Sequence, residues 1–251
     1  MKWTVVLSIQ FHVIGRDFTE HFTITQSSVS GLTIPAYMSL AVSCSNPCRA
    51  TSHFHPETRV QQGAKGTVSY DDSVGVGGID PELSHYKATF KLINSHHPNP
   101  LKWTSAVLYR CDDALNGQGA GCVIPAFLPT LTYMTQLTEI AKNIRRIQNK
   151  GPHHYGRPGS GNPLHRLVNE AQRKRNRRIA CGKKVVGSPP KGKSCDEYPF
   201  ATTHEGGHAV PAADRGWAWV PEEEQNSQGG FLKKFYYQNR VLDLDGFWVA
   251  V

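Results

Sequence analysis

Residues 195–211 read CDEYPFATTHEGGHAVP and decide how the carboxy-terminal part of the chain folds. Within them, His204, Glu205 and His208 spell H-E-x-x-H, which holds zinc in peptidases when a helix brings both imidazoles to one face. The two central positions are glycines and Pro211 follows closely, and both features disfavour a helix. We therefore expect a strand, a tight glycine turn and a second strand, and the zinc-peptidase interpretation is the least favoured.

Acidic residues are concentrated at the start of this stretch. Asp196 and Glu197 directly follow a cysteine, and Glu205 comes shortly afterwards. Carboxylates, with an Asn or His on a neighbouring element, are the ligands that hold Mg²⁺ or Mn²⁺ beside a scissile phosphate. Surface ion pairs with lysines of the preceding loop, such as Lys191 and Lys193, explain the same carboxylates without catalysis. Composition alone leaves both explanations open.

Several motifs follow one another towards the end of the chain: CDEYPF, EGG, QGG with FLKKFYY, and RVLDLDGFWV. In this order, over residues 181–251, they resemble the NucA/NucB family of secreted deoxyribonucleases. YRCDDAL and GCVIPAFLPTLTY resemble the part that precedes this domain in actinobacterial secreted relatives, so the resemblance begins at about Tyr109. It implies a small ββα-metal nuclease that cuts DNA with one divalent cation, Mg²⁺ or Mn²⁺.

The resemblance also implies roles for individual residues. Asp196 corresponds to the general base, and Glu197 and Glu205 to neighbouring structural or metal-linked positions. His204 is the alternative base, because the ordinary pKa of an imidazole lies nearer to neutrality than that of a carboxyl.

The metal ligand on the helix side stays open. The family's Asp-Asn turn falls on Glu224 and Gln225 when the glycines are aligned, and on Asn226 when the asparagine is aligned. Asn226 is our first choice from the resemblance.

Positive charge dominates the composition. The chain has 28 Lys and Arg against 20 Asp and Glu, a net charge of +8, which favours polyanionic partners. A solvated helix end explains part of this charge without any ligand. The candidate contacts to DNA phosphate are Arg173, Lys174, Arg175, Arg177, Arg178, Lys233, Lys234 and Arg240.

The six cysteines fall into three close pairs, which suit local disulfides in an oxidising, extracellular setting. The pairs are Cys44 with Cys48, Cys111 with Cys122, and Cys181 with Cys195. A zinc site at Cys44, Cys48, His53 and His55 is the alternative for the first pair. We expect no membrane span, and the amino-terminal residues alternate like a strand rather than a signal peptide.

The periodicity predicts an α+β protein in three parts. Residues 1–133 form a β-rich, sandwich-like domain, 134–180 a helical and Gly/Pro-rich connector, and 181–251 the nuclease-like domain. Within the connector we expect helices over 135–149 and from Pro163 to about Ile179, separated by a linker over 151–161.

Two functional hypotheses of different classes follow. The first is a metal-dependent, sequence-nonspecific deoxyribonuclease, either a secreted enzyme or an antibacterial toxin with an acidic immunity protein as partner. The second is a non-catalytic basic module that only binds nucleic acid.

Overall fold

The computed structural model of the protein describes residues 2–28, 36–54, 58–59, 63–93 and 99–251. The chain divides into two compact units, Met1–Ile124 and Pro125–Val251. The sequence patterns place the boundaries after residues 133 and 180 instead. The difference arises because the apolar stripe of the predicted first helix, including Ile140 and Ile144, is buried in the core of the second unit.

The first unit is built from strands, which confirms the β-rich amino-terminal region. The described strands, numbered along the chain, are β1 (Lys2–Gln10), β2 (Asp17–Ser28), β3 (Ala36–Ser43), β4 (Cys48–Ser52), β5 (Thr58–Arg59), β6 (Ala64–Asp72), β7 (Ile79–Glu82), β8 (His85–Leu92), β9 (Asn99–Thr104), β10 (Tyr109–Asp112) and β11 (Gly121–Val123). They form antiparallel sheets in the orders β1-β2-β6-β4, β5-β3-β8-β9 and β11-β10-β7.

Both four-stranded sheets contribute to a single core. Phe22 on β2 packs edge-on against Tyr86 on β8, with 5.7 Å between ring centroids. The buried Glu20 carboxylate accepts hydrogen bonds from the hydroxyls of Tyr70 and Tyr86, both at 2.7 Å, and so links the two sheets. Burial raises the pKa of Glu20, and the two hydroxyls oppose this effect.

The second unit combines helices with short strands. Its elements are β12 (Thr130–Leu131), α1 (Thr138–Lys150), β13 (Leu164–His165), α2 (Glu170–Cys181), α3 (Lys183–Val186), β14 (Lys193–Tyr198), β15 (Gly216–Pro221), α4 (Glu222–Gln238) and β16 (Gly246–Val249), with 3-10 turns at Tyr133–Gln136 and Ala212–Asp214. β12 runs parallel and β13 antiparallel to β16, and β14 pairs antiparallel with β15. None of the described helices has the length and apolar character needed to cross a membrane.

Tertiary contacts move the predicted helix boundaries. α1 begins at Thr138, and the Glu224 carboxylate accepts hydrogen bonds from the backbone N–H groups of Glu139 and Ile140 at its start, each at 3.0 Å. α2 begins at Glu170 rather than at Pro163. The reasons are that Leu164 pairs with β16 and that the Asn169 side chain caps the helix by accepting from Gln172 N at 3.0 Å.

Two glycine-rich segments differ from expectation. The predicted linker at 151–161 is an ordered series of turns within the second unit, where Gly156 N donates to Asn162 O at 2.7 Å. The stretch at 228–230, whose Gln-Gly-Gly composition is typical of a turn, is helical and lies inside α4. Local propensity misses the ordered turns at 151–161 because long-range contacts fix them. It misses the helix at 228–230 because glycines are tolerated on the exposed face of a helix.

All three predicted cysteine pairs form disulfides, which are Cys44–Cys48, Cys111–Cys122 and Cys181–Cys195. The alternative zinc site at the first pair does not form, because both thiols are consumed in the disulfide. His53 Nε2 instead lies 3.1 Å from Ser69 Oγ, and His55 lies outside the described residues.

Candidate active site

The candidate site is built on a β-hairpin followed at once by a helix. β14 pairs with β15 so that Asp196 lies opposite Ala218 and Glu197 opposite Trp217. α4 starts directly after β15 with three glutamates in its first turn, which complement the positive end of the helix dipole. Because neighbouring strand residues point to opposite faces, Asp196 and Glu197 enter different environments.

Asp196 is almost fully buried, with 1% of its surface exposed. Asn143 Nδ2 on α1 donates to Asp196 Oδ2, and Gln228 Nε2 on α4 donates to Asp196 Oδ1, both at 2.7 Å. Burial raises the pKa of Asp196 to about 6, against the lowering effect of the two amides. The result is a carboxyl held between two helices, with its pKa moved towards neutrality.

The two amides are themselves held in place. Arg146 Nη2 donates to Asn143 Oδ1 at 2.6 Å, which directs the Asn143 amide nitrogen towards Asp196. Gln225 Nε2 donates to Gln228 Oε1 at 3.0 Å and does the same for Gln228. The chain of contacts ends at Gln225 Oε1, which is buried and has no hydrogen-bond partner among the described residues. A buried oxygen of this kind is available to a ligand.

Glu197 faces α2 on the other side of β14. Its carboxylate forms an ion pair with Arg177, and only 7% of its side chain is exposed. Burial raises the pKa of Glu197 to about 7, although Arg177 lowers it. The Cys181–Cys195 disulfide crosses the same interface and ties the end of α2 to β14 one residue before Asp196.

Cys181, Cys195 and Glu197 bring potential metal-ligand atoms within 4.8 Å of one another. The two sulfurs are bonded to each other and are not thiolates, so this cluster offers a metal only the Glu197 carboxylate.

The three candidate metal ligands on α4 differ in position. Glu224 acts on the Asp196 carboxyl electrostatically while it caps α1, and Gln225 is linked to Asp196 through Gln228. Asn226 is exposed and lies about 200° around the helix from Gln228, two residues away. The structure therefore brings Glu224 and Gln225 to the site and leaves Asn226 on the opposite face.

Residues 204–208 form turns, so the H-E-x-x-H string has no helix to align its imidazoles. The expected second strand is also missing here, and the segment pairs only through a bridge between Thr203 and Arg166. Its glycines are needed for close packing. A Cβ on Gly206 would lie 2.5 Å from Phe200 O, and Gly207 has φ +67° beside Asn176.

Glu205 forms a dyad with His165, a residue that the sequence analysis did not single out. Glu205 Oε2 accepts from His165 N at 2.8 Å, and Glu205 Oε1 lies 2.7 Å from His165 Nδ1. The imidazole is 40% exposed while the carboxylate is 12% exposed. His204 makes a looser contact, with Nε2 3.4 Å from Asp243 Oδ1.

The surroundings of the dyad and of Asp196 contact different parts of α4. Asp196 contacts Gln228, whereas Arg166, next to His165, lies over the Tyr236 ring with 4.7 Å to its centroid. Gln228 and Tyr236 are eight residues apart on α4, which corresponds to about 12 Å of helical rise.

The basic residues of α2 differ in their exposure and in their partners. Lys174, Arg175 and Arg178 are exposed on α2. A groove of about 560 Å³ beside this helix is lined by four cations, by Glu170 and by Ala201 and Thr202. Arg177 is engaged by Glu197, and Lys174 pairs with Glu170 at 2.6 Å. Arg173 also lines the groove, with its Nε buried and unpartnered among the described residues.

The cations of the carboxy-terminal segment differ from one another. Lys233 and Lys234 are exposed, with Nζ 5.6 Å from the centroid of Tyr237 and 5.1 Å from that of Tyr133, respectively. Arg240 is fully buried, so its guanidinium does not face solvent and the prediction that it contacts a phosphate does not fit the structure.

Comparison with known proteins locates a family within the second unit. Residues 156–250 match the family model for Deoxyribonuclease NucA/NucB. Searches among curated proteins and among solved structures found no match. The matched segment contains Asp196, Glu197, the His165–Glu205 dyad and the whole of α2 and α4. Residues 156–250 of the chain therefore form a domain of the NucA/NucB deoxyribonuclease family.

Proposed function

We propose that the protein is a metal-dependent endonuclease that hydrolyses DNA phosphodiester bonds without sequence preference. The observation that carries this proposal is the Asp196 carboxyl, which is buried, held by two amides and shifted in pKa towards neutrality inside a deoxyribonuclease-family domain. Perturbed carboxyls of this kind are characteristic of catalytic sites.

β14, β15 and α4 follow one another along the chain, and we propose that they act as a ββα-metal unit. The orphaned Gln225 Oε1 and the nearby carboxylates of Asp196 and Glu224 are hard oxygen donors, which suit Mg²⁺ or Mn²⁺. Gln225 thereby takes precedence over Asn226 as the ligand from α4. When bound, the cation would supply positive charge for the phosphate oxygens and the leaving alkoxide.

Asp196 would accept the proton of the attacking water. The water oxygen then bonds to phosphorus, and the bond from phosphorus to the leaving sugar oxygen breaks. A base is most effective when its pKa lies near the working pH, and burial moves Asp196 in that direction. Asn143 and Gln228 hold the carboxylate oxygens in a fixed orientation through the reaction.

A second candidate base is favoured by the His165–Glu205 contact. With Nδ1 donating to the carboxylate, Nε2 of the half-exposed ring is left to accept a proton. Cleavage rates of His165→Ala and His204→Ala, measured beside the Asp196 variant described below, decide which group is the base.

The function is tested by incubating the purified chain with supercoiled plasmid in Mg²⁺, in Mn²⁺ and in EDTA. We expect nicked and linear products with either metal and none with EDTA. A chain that binds DNA tightly and cuts it under none of these conditions would instead be the non-catalytic basic module. Cleavage that persists in EDTA would exclude the metal requirement.

We expect the exposed cations of α2 to contact phosphates of the DNA backbone. A plot of the logarithm of the DNA-binding constant against the logarithm of the salt concentration has a negative slope. Each phosphate contact makes this slope more negative by about 0.9. We expect Arg175→Ala and Arg178→Ala each to weaken binding and to reduce this slope by about one. Fluorescence anisotropy in EDTA, with two unrelated duplexes, measures both effects.

Arg49→Ala is the matched control, since Arg49 is exposed in the first unit. Equal slopes for the wild type and both α2 variants would show that these side chains make no phosphate contact. A strong difference between the two duplexes would contradict nonspecific binding.

The Cys181–Cys195 disulfide should support activity by bracing β14. We expect the Cys181→Ser/Cys195→Ser variant to lose about 3 kcal/mol of unfolding free energy, because the disulfide closes a loop with a sequence separation of 14 residues. Plasmid cleavage should fall with it. Urea unfolding followed by tryptophan fluorescence gives the stability, and Cys44→Ser/Cys48→Ser is the control in the other unit. Full activity in a variant confirmed by mass to lack the bond would refute the bracing role.

We further propose an extracellular location, which the three disulfides support. If the biological role is attack on competing cells, the basic domain calls for an acidic immunity protein as partner.

A further inference from the structure

A second site lies in the first unit, where two aspartates meet in the interior. Asp72 ends β6 and is 0% exposed, and Asp80 lies on β7 and is partly buried. The Asp80 carboxyl makes a side-chain hydrogen-bond contact with Asp72, and burial followed by this contact raises the pKa of Asp80 to about 6. Two carboxylates brought together away from water repel each other, so their juxtaposition needs a compensating group.

Each aspartate has one buried oxygen that no N–H or hydroxyl donor in the described residues satisfies. Asp72 Oδ1 accepts a hydrogen bond from Val74 N at 2.8 Å, whereas Asp72 Oδ2 is buried without a partner. Asp80 Oδ2 is likewise buried and unpartnered. Burying an unsatisfied acceptor is costly, and more so when it carries charge, which points to a ligand between the two side chains.

The surroundings add negative charge. The charges of Asp72 and Glu82 act on the Asp80 carboxyl, and both are acidic, while the buried Arg110, opposite Pro81 on β10, forms an ion pair with Asp112. Glu82 is itself 7% exposed and accepts from Ser45 N at 2.6 Å. The field at this point therefore favours a cation.

The scaffold holds both aspartates in place. Asp72 lies directly opposite Cys48 on β4, and Asp80 lies opposite Cys111 on β10, so each faces a disulfide-bonded residue across the sheet. The loop that joins β6 to β7 is closed by hydrogen bonds, including Gly77 N to Asp113 O at 2.9 Å. The site is thus preorganised rather than assembled by a mobile segment.

We propose that the facing carboxylates of Asp72 and Asp80 bind a Ca²⁺ ion, with Glu82 contributing to the negative field. The available metal ligands are all oxygens. The nearby cysteine sulfurs are bonded in disulfides, so they cannot bind a metal as thiolates. Ca²⁺ accepts irregular oxygen cages completed by water and backbone carbonyls, whereas Mg²⁺ demands near-octahedral geometry. With two aspartates as the core of the site, we expect the weak affinity of extracellular modules, about 10⁻⁴ to 10⁻³ M.

The full chain, stripped with EDTA and exchanged into chelator-free buffer, provides the test. Calorimetric melting with free Ca²⁺ at about ten times the dissociation constant should raise the midpoint of the first unit by about 5 °C. Tb³⁺, a luminescent substitute for Ca²⁺, should bind at the same place and be displaced by Ca²⁺. Asp72→Asn and Asp80→Asn should each lose the midpoint shift and at least tenfold in affinity.

Two controls isolate the site. Asp71→Asn changes an exposed neighbour on the same strand and should keep the full response. Asp196→Asn should keep it too, which separates this ion from any metal in the second unit. If Asp72→Asn does not fold, the Asp80→Asn variant and the Ca²⁺ titration of the wild type still show whether Ca²⁺ binds at this site.

The proposal is overturned by a wild-type chain whose first unit shows no midpoint shift with Ca²⁺. It is equally overturned if Asp80→Asn retains the wild-type response. An Asp80→Asn chain that is more stable than an unresponsive wild type would show that the two carboxyls share a proton instead of a cation.

Discussion

Asp196→Asn is expected to reduce plasmid cleavage by about 10²- to 10⁴-fold, the range that general acid–base groups contribute. The amide cannot accept a proton from water at any working pH, whereas the native carboxyl has its pKa raised to about 6. Initial rates of plasmid nicking in Mg²⁺ and Mn²⁺ measure the effect. Glu139→Gln, on an exposed part of α1, is the control and should cut at the wild-type rate.

The variant should fold, and the structure shows why. The substituted amide at position 196 offers one acceptor oxygen instead of two, so either Asn143 or Gln228 must reverse its own amide. In the metal-free chain Gln228 can do so if Gln225 reverses as well, because Gln225 Oε1 then has no partner to lose among the described residues. A bound cation would oppose this reversal, since Gln225 Oε1 is its proposed ligand, so the folding comparison is made in EDTA. There the thermal midpoint of the second unit should stay within a few degrees of the wild type.

A folded Asp196→Asn chain that cuts DNA at the wild-type rate would remove Asp196 as the base. Loss of cleavage in His165→Ala with Asp196→Asn active would transfer that role to the His165–Glu205 dyad. Loss in both variants would indicate that the two groups serve the same reaction from different sides.

Arg177→Ala is expected to destabilise the second unit by about 3 kcal/mol at pH 8. Removing one partner of a buried ion pair typically costs about 3–5 kcal/mol, because the other charge is left uncompensated. We expect the lower end of this energy range because the Arg177 side chain is 36% exposed, so water can partly replace its contact with Glu197 in the variant. Urea unfolding, followed through the tryptophans of β15, measures the loss.

The loss should depend on pH with a defined sign. The pKa of Glu197 is raised to about 7 in the folded state, above its ordinary value of 4.5, so its contribution to stability is greatest below pH 4.5 and declines as pH rises through 7. Near pH 5 Glu197 is protonated with or without Arg177, and the variant should approach the wild type. Near pH 8 the carboxylate is charged, and the difference should be largest.

Arg178→Ala is the matched control, since Arg178 is the exposed neighbour and the buried Glu197 carboxylate pairs with Arg177 instead. It should weaken DNA binding without a pH-dependent loss of stability. A deficit of Arg177→Ala that is equal at pH 5 and pH 8 would show that Arg177 acts through packing rather than through the charge of Glu197.

The parts of this protein that depend on neighbouring residues could be predicted from the sequence. Alternation predicts the strands of the first unit, glycines and Pro211 exclude a helix at 204–208, and close cysteine spacing yields the three disulfides. The motif order around Asp196 also identifies the nuclease-family domain. The first three of these signals operate over a few residues, where propensity and chain connectivity dominate, and the motif order is read directly along the chain.

The partners of the catalytic candidates were decided by tertiary packing. Asn143 and Gln228 reach Asp196 across 53 and 32 residues, and His165 meets Glu205 across 40. Burial separates Arg240, and the ion pair with Glu197 separates Arg177, from exposed arginines such as Arg178, although the residue type is the same. The boundary at 124 depends on which core buries the apolar face of α1. Such outcomes follow from the packing of distant surfaces, which local patterns do not encode.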